Sequence, residues 1–216
     1  MTRITVIGGT GYAGTNIAQQ AIDRGHEVTV VARSVPANPI AGVNYQTGNV
    51  NDPQVLESAV RGSELVISAL SPRVELEGAG KLAGIIRTLA AAAQKANVRL
   101  GVVGGAGSLL VAPGGPTVAE TEDFPDAFKA EAAEMATVLA NLRSSGNGLD
   151  WFYVSPAGSF GAWAPGEHTG TFRVGNDLLL TDENGNSEIS GADFGQAVVE
   201  EIEQNAHLRK RFTVAY

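Results

Sequence analysis

The sequence contains no cysteine among its 216 residues. This absence excludes disulfides, thiolate nucleophiles and every zinc or iron–sulfur site that requires cysteine. Histidine is scarce as well, and the three that are present, His26, His168 and His207, are dispersed along the chain. We therefore predict that the protein has no metal site.

Long apolar runs and basic stretches are also missing. No uninterrupted apolar segment approaches the roughly 18 residues of a transmembrane candidate. The N-terminus passes directly into the strand-like residues 4–7, without the basic and apolar regions of a signal peptide. The formal net charge of −8 disfavours nucleic acid, whose phosphates are neutralised by basic side chains. We expect a cytoplasmic protein with no nucleic-acid or membrane partner.

What the sequence does contain is a regular alternation. Short β-branched runs alternate with longer Ala- and Leu-rich segments, which predicts βα units and a parallel sheet. Hydrophobic residues make up 44% and charged residues 18%, as in ordinary globular domains. We predict one α/β domain over residues 1–216. Strands are predicted at residues 4–7, 28–31, 43–46, 65–70, 100–103, 151–154 and 212–215, and helices at 12–24, 53–60, 79–96, 126–144 and 190–204.

Two segments carry helix-start signals. Asp52 followed by Pro53 combines a capping side chain with a residue suited to the first helical position. Ser190 and Asp193 have the spacing of a capping box, with Asp in the usual place of Glu or Gln. The preceding residues 155–187 are rich in glycine and have no sustained period. They predict a small loop-rich cap, with a short hairpin around residues 171–181.

A glycine-rich segment with the sequence GGTGYAG occupies residues 8–14, between the first predicted strand and the first predicted helix. In this context glycines allow a sharp turn and a close approach of backbone amides to a pyrophosphate, which the helix N-terminus attracts. A tight turn without a ligand is the alternative. The motif predicts a Rossmann-type, doubly wound and mainly parallel sheet that binds a nicotinamide dinucleotide.

The end of the second strand indicates which dinucleotide is preferred. NAD-binding domains usually place an acid there to hold the adenosine ribose, but no acid occurs between Glu27 and Asp52. Arg33 stands there instead, and its guanidinium suits a 2′-phosphate, with Ser34 as a further donor. We therefore predict NADP(H) in preference to NAD(H). A solvated surface arginine is the alternative interpretation of Arg33.

Several segments together carry a family resemblance. They are GGTGYAG, VVARS at the second strand end, GNVND, VVGGAGSL, WFYVSPAGSF and the later IS-x-x-D. The combination resembles the atypical short-chain dehydrogenase/reductases, in particular the small NmrA-like, YwnB-type branch often described as NADH-flavin reductases. The resemblance covers essentially the whole chain.

The resemblance implies a cofactor role for individual residues. Pyrophosphate would be held by Gly8, Thr10, Gly11, Tyr12 and Gly14, and the ribose phosphate by Arg33. Adenine would be lined by Asn49 and Val50, the middle of the cofactor by Ala69, Leu70 and Ser71, and the nicotinamide side by Gly104, Gly105 and Ala106, with Pro156 also in the cofactor site. Asn49 stands where related sequences often carry Asp, and its carbonyl can still accept a hydrogen bond from adenine.

The usual catalytic pair of short-chain reductases is missing. None of the four tyrosines, Tyr12, Tyr45, Tyr153 and Tyr216, has a lysine four residues later to lower the pKa of its phenol. Lys129 is a catalytic candidate because it lies in the helix that usually carries the family's lysine. Ser108, after the fifth strand, is a candidate donor to a substrate. A solvated helix lysine and a serine that caps backbone are the respective alternatives.

Loop aromatics complete the functional prediction. Phe124, Phe160 and Trp163 could form a wall for a planar ligand. Hydride transfer to a flavin or quinone requires mainly orientation, because the two cofactors supply the chemistry. We predict an NADPH-dependent reductase with such a small planar acceptor. The alternative is a redox-sensing protein that binds NADP(H) without turnover, and an isomerase or epimerase is disfavoured by the missing tyrosine. The sequence leaves the oligomeric state open.

Overall fold

In the computed structural model, which describes residues 1–216, eight strands form one continuous sheet. They are β1 (Arg3–Ile7), β2 (Glu27–Ala32), β3 (Asn44–Thr47), β4 (Leu65–Ser68), β5 (Arg99–Val103), β6 (Trp151–Ser155), β7 (Arg173–Gly175) and β8 (Lys210–Ala215). Their spatial order is β3-β2-β1-β4-β5-β6-β8-β7. All neighbours are parallel except β7 and β8.

Five helices cover the two faces of this sheet. They are α1 (Tyr12–Asp23), α2 (Pro53–Val60), α3 (Lys81–Ala96), α4 (Asp126–Arg143) and α5 (Gly191–Gln204). Residues of α1 and α5 belong to one hydrophobic core, and residues of α2, α3 and α4 to the other. Because both faces are covered, strands such as β4 and β6 are buried at every position.

The strand order defines where a ligand can enter. The chain moves outward from β1 through β2 to β3 and then crosses back to β4, on the other side of β1. Such a reversal opens a crevice at the carboxyl ends of the strands, which is the ligand site of open α/β sheets. The architecture confirms the predicted Rossmann-type fold.

The cap differs from the sequence prediction. The short hairpin expected around residues 171–181 is wrong, because β7 pairs with β8 instead of folding back on itself. The following residues hydrogen-bond to a different segment, since Leu179 N donates to Leu110 O at 2.9 Å. The cap thus pairs with the exposed edge of β8. The segment has no sustained period, and nothing in its sequence reveals this distant partner.

The start of α5 fastens the cap to the domain. The Ser190 side chain accepts a hydrogen bond from Asp193 N at 3.0 Å, as predicted. The reciprocal bond of a capping box is absent, since Asp193 is fully buried and its carboxylate accepts hydrogen bonds from Thr169 N, Gly170 N and the Tyr216 hydroxyl. Burial raises the pKa of Asp193, but these donors outweigh it and bring the pKa to about 2.

No helix combines the length and the hydropathy that crossing a bilayer requires.

We predict that Asp193→Asn destabilises the protein by at least about 2 kcal/mol at neutral pH, because the pKa difference between folded and unfolded carboxyl groups is lost. Because the pKa of Asp193 is lower in the folded than in the unfolded protein, its ionised carboxylate stabilises the fold above a pH near 4. This stabilisation is lost as the pH falls toward 2. The difference in urea-unfolding free energy between wild type and variant should therefore narrow between pH 5 and pH 3. A constant difference would show that the charge of Asp193 contributes nothing.

Candidate functional site

The turn after β1 is built on glycines that the fold itself requires. Gly8 has a φ of +80°, which disfavours other residues, and a Cβ there would lie 2.9 Å from Ala69 O. A Cβ on Gly14 would lie 2.7 Å from Gly9 Cα and overlap the carbonyl oxygen of Gly8. The first turn of α1 therefore packs directly on the backbone of the preceding loop.

Gly11 is different from these structural glycines. A Cβ there would meet only Gly8 O, at 3.4 Å, and both Gly11 and Thr10 are exposed. Gly11 is the N-cap of α1, and no side chain caps the helix. The first amides of α1 consequently have no side-chain partner and lie at the positive end of the helix dipole. This cradle fits a pyrophosphate, as the sequence motif predicts.

A first cavity of about 400 Å³ lies beside this turn, at the carboxyl ends of β1, β2 and β4. Nine of the predicted cofactor residues line it, namely Gly8, Thr10, Gly11, Arg33, Asn49, Val50, Ala69, Leu70 and Ser71. Ser34 is exposed and does not line it. The structure thus brings together the adenosine half of the predicted site, except for Ser34 and for Gly14, which is buried and lines neither cavity.

A second cavity of about 300 Å³ adjoins the first and shares Gly11, Ala69, Leu70 and Ser71 with it. Predicted residues Tyr12, Gly104, Gly105, Ala106 and Pro156 line it too. The remaining wall is largely apolar and includes Phe124, Phe128, Phe160, Trp163 and Met135. Trp163 and Phe128 remain 70% and 46% exposed, so this wall is open to solvent.

Tyr12 joins the start of α1 to the cap. Its hydroxyl donates to Pro165 O at 3.1 Å and accepts from Gly191 N at 2.9 Å. Its ring packs edge-on against Phe160, whose ring lies 4.5 Å from that of Phe194. The residue that begins α1 therefore also positions the aromatic wall of the cap.

Tyr153 is removed from the cavity. It is fully buried in β6, and its hydroxyl donates to Met135 O at 3.1 Å. Burial raises the pKa of this phenol well above its usual range. A Cβ on Gly104 would overlap the Tyr153 ring, so this glycine is needed to accommodate the ring. The Tyr153 hydroxyl is therefore already hydrogen-bonded, and Tyr153 lines neither cavity.

The two catalytic candidates lie outside the cavity lining. Lys129 is 55% exposed and forms an ion pair with Asp126 at 2.6 Å on its own helix. The Ser108 hydroxyl accepts a hydrogen bond from Arg211 Nη1 at 2.9 Å, and the Ser108 carbonyl accepts another at 3.0 Å. Lys129 thus lies on the surface beside an anionic partner, and Ser108 contacts the Arg211 side chain; neither residue lines either cavity.

Sequence reasoning missed the charged residues around the cavities. Arg73 lines both cavities, and its Nε donates to Glu131 Oε2 at 2.8 Å. Glu75 lines the first cavity and pairs with Arg33 at 3.3 Å. Arg73 and Glu75 both follow the carboxyl end of β4, beside the crevice. That position in the sequence is the signal by which they could have been predicted.

Comparison with known proteins agrees with this geometry. The chain matches the NAD(P)H-binding family over residues 8–205, and it belongs to that family. It is 32% identical to the uncharacterized protein YwnB of Bacillus subtilis, over 98% of this chain and 97% of that protein. The predicted relation to the YwnB-type branch is confirmed.

Solved structures show the same relation. A Burkholderia pseudomallei protein, provisionally named an exported protein, is 41% identical with a TM-score of 0.87, and each chain is covered completely. A Streptococcus pneumoniae protein, provisionally named an NADH-flavin reductase, is 30% identical with a TM-score of 0.84, over 100% and 99% of the two chains. A Bacteroides thetaiotaomicron protein, provisionally named an epimerase, is 29% identical with a TM-score of 0.88, over 100% and 97%.

The two kinds of glycine give a matched pair of variants. Gly14→Ala should lower the unfolding free energy by about 3 kcal/mol, because backbone atoms must move to admit the methyl group. Gly11→Ala should cost less than about 1 kcal/mol, the difference between glycine and alanine at an N-cap. Thermal unfolding of both variants tests this order. Equal losses would contradict the separation of structural and ligand-facing glycines.

Proposed function

We propose that the protein is an NADP(H)-dependent reductase that passes hydride to a planar acceptor of flavin or quinone type. The carrying observation is the second cavity, which joins the glycine cradle to an aromatic wall. It contains no lysine, and its one phenol, that of Tyr12, is already bonded to Pro165 O and Gly191 N. Membership of the NAD(P)H-binding family supports nucleotide binding, and the name of the Streptococcus pneumoniae protein supports the acceptor class.

In this proposal the first cavity holds the adenosine half of the nucleotide. The amides at the start of α1 bind pyrophosphate, and Arg33 donates to the 2′-phosphate. Asn49 and Val50 line adenine, although the side-chain oxygen Oδ1 of Asn49 accepts a hydrogen bond from Asn51 N at 2.9 Å. Gly104, Gly105 and Ala106 line the nicotinamide side, and Gly105 leaves room there, since no atom lies within 4 Å of a Cβ built on it.

The second cavity holds the acceptor. The bound nicotinamide supplies the hydride, and Phe160 and Trp163 align a planar ring and exclude water from one side of it. Arg73 is the only cationic side chain among the lining residues of this cavity. Its guanidinium can stabilise the negative charge that an acceptor ring gains with the hydride.

The same lining argues against ketone reduction and against epimerisation. Both reactions require a positioned proton donor or acceptor, which Tyr-x-x-x-Lys usually provides. Here the Tyr153 hydroxyl is committed to Met135 O, and Lys129 lies outside the cavity. We therefore prefer the reductase over the activity suggested by the name of the Bacteroides thetaiotaomicron protein.

A redox-sensing protein is the second candidate. The observation that favours it is the pairing of Glu131 with Arg73, because it leaves no free acid or base in the second cavity. Such a protein would bind NADP(H) and present the exposed Trp163 to a protein partner. The predicted cytoplasmic location stays a prediction, since one relative is provisionally named an exported protein.

Arg33→Ala tests the nucleotide preference. The variant should lose about 1.5 to 3 kcal/mol of NADP(H) affinity, the contribution of a charge-assisted hydrogen bond, and keep its NAD(H) affinity. Fluorescence or calorimetric titration with both nucleotides measures this. An equal loss for NADP(H) and NAD(H) would mean that Arg33 supports the fold instead.

Turnover tests the acceptor. The purified protein should oxidise NADPH with free flavins or quinones and not with simple ketones, because a developing alkoxide would lack its proton donor. Tyr153→Phe should leave this rate within about twofold, provided that thermal unfolding shows an intact fold. Trp163→Ala should raise the KM for the acceptor by weakening ring stacking.

Two outcomes would change the proposed function. Ketone reduction that disappears in Tyr153→Phe would overturn the mechanism, since that hydroxyl would then be reaching substrate. Tight NADPH binding with no turnover on any flavin or quinone would favour the redox-sensing candidate. Absorbance of NADPH at fixed acceptor concentrations separates these cases.

A further inference from the structure

The segment after β4 forms a strap, residues 71–80, along the open side of the first cavity. Helix α4 fastens it at both ends. Arg73 Nε donates to Glu131 near its start, and Gly80 N donates to Glu134 Oε2 at 2.7 Å at its end. Glu134 also accepts from Ala83 N, so it caps the start of α3. Fixed at both ends, the strap places its central residues over the cavity.

Glu75, at the centre of the strap, reaches across the cavity to Arg33. The Glu75 Oε1 and Arg33 Nη1 atoms are 3.3 Å apart, and the side chains are 57% and 69% exposed. No other side chain forms an ion pair with Arg33. The guanidinium assigned to the 2′-phosphate thus already has an anionic partner.

The backbone beside Glu75 is strained. Val74 has a φ of +56° and is 77% exposed. This left-handed conformation is rare for a β-branched residue and costs free energy. Because the Val74 side chain is exposed, hydrophobic burial does not compensate for this cost. The anchors of the strap, with the Glu75–Arg33 contact among them, must offset that cost.

Glu75 is the only acidic residue that lines the first cavity. Arg33, Arg73 and Glu75 are the only ionisable residues of that lining. Arg73 makes two hydrogen bonds to Glu131, whereas Arg33 has only its single contact with Glu75, so we assign Arg33 to a phosphate on the adenosine ribose. Glu75 is therefore the only anionic side chain that a 2′-phosphate would meet there.

We infer that Glu75 is a specificity-determining residue that competes with the 2′-phosphate of NADP(H) for Arg33 and so limits the preference for NADP(H) over NAD(H). The inference rests on the proposed nucleotide site. Binding of a 2′-phosphate exchanges one anionic partner of Arg33 for another, and Glu75 must move away from the new charge. NAD(H) has a neutral 2′-hydroxyl in its place and requires no exchange.

The size of the effect follows from the charges. Two like charges a few ångströms apart near a protein surface repel appreciably, and the phosphate carries more than one charge. Replacing Glu75 by neutral Gln should tighten NADP⁺ binding about tenfold. NAD⁺ binding should change by less than about twofold. Because the groups are exposed, the gain should shrink when the salt concentration is raised to 0.5 M.

The experiment is a titration of wild type and Glu75→Gln with NADP⁺, NAD⁺ and 2′,5′-ADP, which carries the 2′-phosphate without nicotinamide. Glu77→Gln is the matched control, since Glu77 is exposed on the same strap and lines neither cavity. Both variants change the net charge equally. Selective tightening of NADP⁺ and 2′,5′-ADP in Glu75→Gln alone is the expected result.

The double variant Arg33→Ala/Glu75→Gln tests the route of the effect. Glu75→Gln should lose its gain for NADP⁺ when Arg33 is absent. A full gain in that background, an equal gain in Glu77→Gln, or unchanged or weaker NADP⁺ binding in Glu75→Gln would overturn the inference while leaving the nucleotide site intact. If wild type and Glu75→Gln bind none of the three probes, the proposed function falls together with the inference.

Discussion

The close approach of α1 to the loop after β1 is the constraint on which the site depends. Gly14 rests on the backbone of Gly8 and Gly9, and no side chain could be inserted there. This contact fixes the direction of α1 and thereby aims its free amides at the crevice beside β4. It also fixes Tyr12, whose hydroxyl orients the cap through Gly191 and Pro165. Both cavities therefore take their shape from one backbone contact.

The parts of the fold that sequence could predict are those with local causes. The bounds of α2 agree with the prediction because Asp52 and Pro53 act on their own helix, and Asp52 Oδ1 does accept from Gln54 N at 2.9 Å. The glycine turn was predictable because its steric demands involve neighbouring residues. Residues 65–70 were predicted as one strand, whereas β4 ends at Ser68 and the next two residues line the cavities.

The parts that sequence could not predict depend on distant partners. Nothing near Asp193 shows that Thr169, Gly170 and Tyr216 will donate to it, and nothing near Ser108 shows that Arg211 will bind it. The position of Lys129 in a helix makes it a candidate. Its contact with Asp126 depends on the direction of its side chain, and Lys129 lies outside the cavity lining. Charged residues of the strap carry no local motif, so only the structure associates Glu75 with Arg33.

The partners of Arg211 have a consequence for how the molecule assembles. Arg211 binds Ser108 across 103 positions of the chain, and it shares Asp177 with Arg143. These contacts hold the loop that follows β5, but they form only after β8 has joined the sheet, and closing such long loops is slow. The first βαβ unit, by contrast, is short and local. The nucleotide cradle should therefore form early in folding, and the aromatic cavity should be the last part of the site to become ordered.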